Sequence, residues 1–357
     1  MALALTVGAC SSKAPVAFLD NPLPLLVWLG EFTRPAGSVY AQLADSAKFG
    51  SVSGLAPDRL TQQWVGVIDD REQSRLAWLT VDFGAKGLEV TPMRMVNLRA
   101  GAGVNARVAY SDLEAIVQLP NGSFVVSEEG HSTPNGPVQP ALLQVTHEGV
   151  VTRVVSFPKE YQITGDKKTG VRENRGFEGL AVTPRGRLIA GLESPLIQDG
   201  EVTFDRGAPG RLIEFEPTGS TFRAGRQWRY MISPTPYIEG FDNLCNDGAN
   251  GLVELLALSD TTLLSMERSC LVTKKGEFTA NTVQLFSVEL IDGDARKRLL
   301  LNFDSVTPRL SAGLSRLENF EAMTFGPIVN GTPSLLIASD DNFRKTQHTA
   351  FLLFGMK

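Results

Sequence analysis

Short apolar runs recur along the chain, two at a time, around turns built from Pro, Asn, Asp and Gly. One copy runs from Asp112-Leu-Glu114-Ala-Ile-Val117 through Pro120-Asn-Gly122 to Phe124-Val-Val-Ser-Glu128-Glu129. A second runs from Gly176-Phe-Glu178-Gly-Leu-Ala-Val182 through Pro184-Arg-Gly186 to Leu188-Ile-Ala-Gly-Leu-Glu193. A third holds Val253-Glu254-Leu-Leu-Ala-Leu258, Ser259-Asp260 and Leu263-Leu-Ser-Met-Glu267-Arg268. A fourth holds Asn319-Phe-Glu321-Ala-Met-Thr-Phe325, Asn330-Gly331 and Leu335-Leu-Ile-Ala-Ser-Asp340-Asp341-Asn342. A degenerate first copy spans Ser53-Gly-Leu55 to Val65-Gly-Val-Ile-Asp69-Asp70. Apolar runs on either side of a tight turn are the signature of a β-hairpin.

Further strand-like runs follow each hairpin, for example Leu142–Thr146 with Val150–Val155, and Leu212–Phe215 with Gln227–Ile232. Four-stranded sheets repeated about an axis make a β-propeller. The pattern therefore predicts an all-β propeller with five visible modules and five or six blades. The last copy ends in a single strand, Ala350–Phe354, and lacks an outer one. Open sheet edges invite aggregation. The N-terminal segment, with Leu25–Trp28 and Ser38–Gln42, is expected to supply the missing strand and close the ring. No linker or composition shift divides residues 20–357, which are read as one domain, expected to be monomeric.

Composition narrows the function. Apolar residues make up 43% of the chain and the net charge is -5, with no cationic stripe. Nucleic-acid binding needs clustered Lys and Arg to neutralise phosphates, so a small-molecule substrate or ligand is expected instead. No run of eighteen apolar residues occurs. The first nineteen residues resemble a truncated lipoprotein signal. A short apolar stretch ends at Val-Gly-Ala-Cys10, which marks Cys10 as a lipidation candidate and a membrane tether, although the basic start of such signals is missing. The expected location is outside the cytoplasm, in the periplasm or anchored to a membrane. Cys245 and Cys270 flank the ends of one hairpin at the same edge, and a disulfide between them suits an oxidising compartment.

The repeats also carry chemistry. Within a hairpin, the start of the first strand and the end of the second lie at one edge. Glu114, Glu178, Glu254 and Glu321 begin first strands, 64, 76 and 67 residues apart, while Asp69-Asp70, Glu128-Glu129, Glu193, Glu267 and Asp340-Asp341 end second strands. All of them should gather at one mouth of the disc, where first strands line the channel. Crowded carboxylates repel unless a cation sits among them. Calcium takes six to eight oxygen ligands, and Glu114, Glu178, Glu254, Glu321, Asp70, Asp340 and Asp341 are the candidate metal residues. Arg71, Arg175 and Arg268 stand beside the acidic motifs and could grip an anionic group. Glu178, Glu321, His131 and Arg268 are the catalytic candidates. His131 follows only Glu128-Glu129, and Arg268 stands where other copies have an acid. His147 lies in a Thr-His-Glu-Gly turn and His348 in a loop, and both are expected on the surface. No zinc spacing, nucleophile elbow or P-loop occurs.

Several of these motifs taken in order carry a family resemblance: Ser53-Gly-Leu55, Val67-Ile-Asp69-Asp70-Arg71, Gly176-Phe-Glu178-Gly-Leu180, Leu192-Glu193-Ser194, Met266-Glu267-Arg268 and Ser339-Asp340-Asp341-Asn342-Phe343. The series resembles the bacterial phytase-like family, often labelled "esterase-like activity of phytase", from about residue 49 to 354. The resemblance implies a β-propeller and a phosphoester or ester hydrolase, with calcium by analogy to propeller phytases. It carries no catalytic residues over by position. Two alternatives stand beside a calcium-dependent hydrolase of phosphate or other esters. One is a non-catalytic propeller that binds a ligand or protein around structural calcium. The other is a lactonase-like metal hydrolase. Phytate itself would want a strongly basic cleft, and none is visible.

Overall fold

In the second strand Ser334–Ser339, neighbouring apolar side chains go opposite ways. Leu335 and Ile337 pack toward one adjacent sheet, while Leu336 and Ala338 pack toward the other. A strand buried on both faces needs an unbroken apolar run, because its side chains alternate with period two. The same logic explains the other apolar runs. The computed structural model describes residues 24–357, except 44–47, 106–110, 246–247, 277, 312–313 and 315. Within them lie five four-stranded antiparallel blades.

Blade one holds Val52–Asp58, Gln63–Ile68, Arg75–Gly84 and Gly87–Asn97. Blade two holds Leu113–Gln118, Phe124–Glu128, Ala141–Val145 and Val150–Ser156. Blade three holds Phe177–Val182, Leu188–Leu192, Ala208–Thr218 and Thr221–Ile232, and blade four Gly251–Ala257, Thr262–Val272, Thr279–Ile291 and Asp294–Asn302. Blade five holds Phe320–Phe325, Ser334–Ser339 and His348–Met356, and its outer strand is the N-terminal Leu26–Pro35. The expected closure is thus made by the N-terminus, from Leu26↔Met356 to Pro35↔His348. Ser38–Val39 pairs with Lys48–Phe49 instead.

The five innermost strands pack side by side in a closed ring, the last against the first. The ring is tight. A Cβ at Gly54 would come within 2.5 Å of the Glu114 carbonyl oxygen and 2.8 Å of Ala115 Cα, so blades one and two approach where only glycine fits. One apolar cluster fills each gap between blades, and together they make the core. Truncating a fully buried member such as Ile337 to Ala should cost about 2–5 kcal/mol.

Every innermost strand carries a register shift near its start. The shifts fall between Val52 and Gly54, Phe177 and Gly179, Leu252 and Glu254, and Phe320 and Ala322, with the equivalent shift in blade two opposite Val126 and Glu128. A bulge leaves one residue unpaired and re-aims its side chain. The bulged residues are Ser53, Glu178, Val253 and Glu321, with Glu114 in the corresponding stretch of blade two. Glu254 is one residue out of step with the other glutamates, and a one-residue step moves a side chain to the opposite face. Cys245 and Cys270 form a disulfide, Cα–Cα 5.4 Å, as their shared edge led us to expect. Cys10 and the tether 1–19 lie outside the described residues.

Candidate functional site: an acidic cavity at one mouth

The bulges and the ends of the second strands meet at one mouth of the channel, around a cavity of about 610 Å³. Two sets of positions build its floor. The bulges contribute Glu114, Glu178 and Glu321. Asp69, Glu129, Glu193 and Asp340, just past their second strands, contribute the other set together with Arg268, which lies within the longer second strand of blade four. The second set is structurally equivalent. The N–H groups of Asp69, Glu129, Glu193 and Asp340 each donate to the strand entering the first hairpin arm, and Arg268 lies opposite Gly251 in blade four. Four blades thus present a carboxylate at this position and the fourth blade presents a guanidinium.

The expected ring is present, but not all its expected members line it. Glu114, Glu178, Glu321 and Asp340 do. Asp70 turns away: its carboxylate accepts from Arg75 Nη2 at 2.7 Å and from the N–H groups of Glu72 and Gln73, closing the turn after the strand. Glu254 is buried between inner strands and accepts from Leu180 N at 3.1 Å and Leu255 N at 2.8 Å, a result of its one-residue register difference. Asp341 accepts from Ser51 N, Phe343 N and Thr349 Oγ1. With Asp340, which accepts from Asn342 N at 2.7 Å, it props Asn342 and Phe343 in left-handed conformations, both at φ +48. Asn342-Phe343 is therefore a turn device, with Asn342 on the cavity wall. Sequence reasoning missed Asp112 as a site residue; it put Asp69, Glu129 and Glu193 at the mouth without counting them as metal ligands. Glu128 and Glu267, expected at the mouth too, do not line the cavity: Glu128 accepts from Asp112 N at 3.1 Å, and Glu267 is held by Tyr230, Asn250 and Lys297.

Two groups of carboxylates are close enough to share a cation. Asp69, Asp112 and Glu114 form one, and Glu129, Glu178 and Glu193 the other, each offering atoms within 4.8 Å of one another. Glu178 is only 8% exposed, and its Oε2 is buried with no hydrogen-bond partner. A buried carboxylate oxygen left that way is costly unless something charged meets it. Burial is the main force raising the carboxyls of Asp69, Glu114, Glu129 and Glu178 well above their ordinary range, and repulsion from neighbouring acids adds to it. Burial and the charge of Glu321 push Asp340 up to about 7. A cation bound here would reverse this balance.

The arginines partly answer the acids. Arg71 grips Asp112 with two bonds, Nε–Oδ1 at 2.7 Å and Nη2–Oδ2 at 2.5 Å, and donates to Asn174 as well. Arg175 pairs with Glu193 at 3.0 Å, behind the cavity wall, and donates to the Ala249 carbonyl. Arg268 pairs with Glu321, which also accepts from Asn319 Nδ2 at 3.0 Å.

No histidine lines the cavity among the described residues. His131 sits with Nδ1 3.6 Å from Glu128 Oε1, and that contact raises its pKa. The two other histidines are less exposed than the loop reading implies. His147 Nε2 lies 3.1 Å from both Asp58 carboxylate oxygens and its ring rests on Phe124. His348 Nδ1 lies 3.0 Å from Glu318 Oε1.

Comparison with solved structures finds distant likenesses. A gluconolactonase from Xanthomonas campestris is 12% identical, covers 95% of this chain and 99% of its own, and superposes with a TM-score of 0.34. The catalytic domain of an α-L-arabinofuranosidase from Coprinopsis cinerea is 9% identical over 93% and 98%, with a TM-score of 0.39. A luciferin-regenerating enzyme is 13% identical over 91% and 96%, with a TM-score of 0.36. Likenesses this distant say nothing about chemistry. No curated protein matches the chain. The family described as "Phytase-like: Esterase-like activity of phytase" matches residues 47–343, and the chain belongs to that family.

Proposed function

We propose that the protein is a calcium-dependent hydrolase of phosphate or other esters that works in the acidic cavity. The observation that carries this is Glu178, a buried carboxylate with an unpartnered oxygen among two carboxylate triads. All the donors are oxygens, and calcium prefers six to eight of them. Glu129, Glu178 and Glu193 would hold one ion, and Asp69, Asp112 and Glu114 form the second candidate group. A bound calcium supplies Lewis-acid polarisation of a phosphoryl or carbonyl oxygen.

The chain's own residues supply the rest. Arg268, with its side chain only 12% exposed, holds a fixed positive charge on the cavity wall for the charge that develops on the substrate oxygen. Glu321 belongs to neither triad and is steadied by Arg268 and Asn319. We assign it to accept the proton of the attacking water. The water oxygen bonds to phosphorus or carbon, the ester bond breaks, and the alcohol oxygen leaves with the proton that Glu321 took from the water, which restores the carboxylate. His131 lies off the cavity and is given no part.

The Arg71–Asp112 and Arg268–Glu321 pairs favour a second reading, a ligand-binding propeller with structural calcium. One experiment separates the two. Thermal unfolding is followed with excess calcium and with chelator, beside hydrolysis of an aryl phosphate and an aryl ester. Calcium at a hundredfold excess over its dissociation constant should stabilise the fold by about 2.7 kcal/mol and raise the midpoint by about 5 °C. Turnover should vanish with chelator. Stabilisation without turnover supports the binding reading, and neither effect removes calcium from the site.

A further inference from the structure

Charge is unevenly spread around the cavity. Both carboxylate triads come from blades one to three. The wall built by blades four and five, and by the segments flanking blade five's inner hairpin, is different. Its acids are already answered: Glu321 by Arg268, Glu318 by His348, and Asp340 by Ser51 Oγ at 2.5 Å and Asn342 N.

That wall also carries two arginines outside the acid pairs. Arg344 lies just past the Asn342-Phe343 turn. It lines the cavity and is exposed, and among the described residues its guanidinium makes no hydrogen bond or ion pair. Arg316 lines the cavity just before blade five and is also exposed. Its Nη1 donates to the Thr279 carbonyl at 3.1 Å, and among the described residues it forms no salt bridge. Both positions adjoin the cavity, and among the described residues neither arginine closes a salt bridge, although the charge of Arg316 is felt by Glu318. A guanidinium turned toward a cavity and left without an acid can bind an oxyanion with two parallel bonds.

We infer that Arg344 and Arg316 form an anion subsite facing the carboxylate triads, so that the molecule bound in the cavity carries a fixed negative charge in addition to the bond that is cleaved. This rests on the reading of the cavity as a hydrolytic site. It narrows the substrate from esters in general to acidic ones, phosphoryl or carboxylate. A neutral lactone or simple alkyl ester would leave the arginine wall unused. The cations are few and the cavity is otherwise acidic, so one such group is accommodated rather than a densely charged polyphosphate.

The test uses the full chain saturated with calcium. Binding of phenylphosphonate, a non-hydrolysable anion, is measured by calorimetry for the wild type, Arg344→Ala and Arg316→Ala/Arg344→Ala. The subsite predicts about a 10-fold weaker affinity for the single variant and a greater loss for the double, with the calcium midpoint unchanged. A paired kinetic readout compares a neutral aryl ester with the same ester carrying a terminal carboxylate. The wild type should favour the acidic ester through KM, and the double variant should lose that preference. Unchanged phenylphosphonate affinity in a double variant that still binds calcium and melts like the wild type overturns the subsite and leaves the metal reading intact. A wild type that takes up no calcium but loses phenylphosphonate binding with the arginines would instead overturn the metal reading and keep the subsite.

Discussion

Glu267 and Arg268 are neighbours on one strand, yet they belong to opposite kinds of place. Glu267 turns into the gap between blades three and four and is completely answered. It accepts from Tyr230 Oη at 2.8 Å, Asn250 Nδ2 at 2.7 Å and Ser233 N at 3.2 Å, and it pairs with Lys297. Arg268 turns into the acidic cavity, where Glu178 retains an unmet oxygen. Period-two alternation separates the two environments over a single residue. Both contain buried charge, but only the cavity leaves it incomplete. A buried acid whose oxygens are all met works as architecture. A buried acid with an oxygen left over has room for a ligand.

The sharpest way to break that contrast is to neutralise one acid of each kind and follow calcium. Glu178→Gln should abolish the calcium-induced rise in melting temperature. Without metal the variant should be as stable as the wild type or more so, because repulsion within its triad is relieved. Glu254→Gln should leave the calcium response whole, because its carboxylate serves backbone N–H groups away from the cavity. Thermal shift against a calcium titration reads both. A full calcium response in Glu178→Gln would place the ion elsewhere.

The architectural side predicts a different loss. Glu267→Ala strands Lys297, whose side chain is 15% exposed and whose pKa burial already lowers. Removing one partner of a buried pair costs about 3–5 kcal/mol. Urea unfolding should show that loss with no change in calcium affinity. Glu267→Gln/Lys297→Met should recover part of it, since no charge is then left unpaired. A loss in Glu267→Ala that depended on calcium would merge the two environments and undo the contrast.

Much of this arrangement was legible in the chain. The doubled apolar runs marked the hairpins, the missing outer strand called for N-terminal closure, and shared edges placed Cys245 beside Cys270. The register was not. Aligning the copies on their acids set Glu254 beside Glu114, Glu178 and Glu321. The bulge adds a residue to each inner strand, and in blade four it falls on Val253. A usable signal was present: a small residue follows the bulge position in the other copies, at Gly54, Ala115, Gly179 and Ala322. Glu254 breaks that rule. The same kind of slip favoured Asp70 over Asp69, because adjacent acids look alike in sequence and only the backbone bond to Ser51 tells them apart. Asp112 was missed because its place depends on Arg71 from the preceding blade.

His147 shows how a turn residue can be fixed from far away, and it leads to the smallest expected effect. Asp58 is fully buried, in a network away from the cavity, where it accepts from Thr61 Oγ1 at 2.6 Å, Trp78 Nε1 at 3.0 Å, Gln118 Nε2 at 2.8 Å and Leu60 N, with His147 beside it. Burial alone would raise its pKa. The bonds from Thr61, His147, Trp78 and Leu60 outweigh burial and hold it down to about 2, against an ordinary 3.8. A carboxyl with a depressed folded-state pKa stabilises the fold above its unfolded value, and the benefit is lost as pH falls toward the folded one. The wild type should therefore lose about 2 kcal/mol between roughly pH 4 and pH 2 from this group alone. Asp58→Asn should lack that component, and the gap between the two unfolding curves should narrow over the same window. Calcium should not alter the gap, because Asp58 belongs to the satisfied class. If the gap widened with added calcium instead, Asp58 would be coupled to the mouth, and the division between answered and unanswered acids would fail at its most complete example.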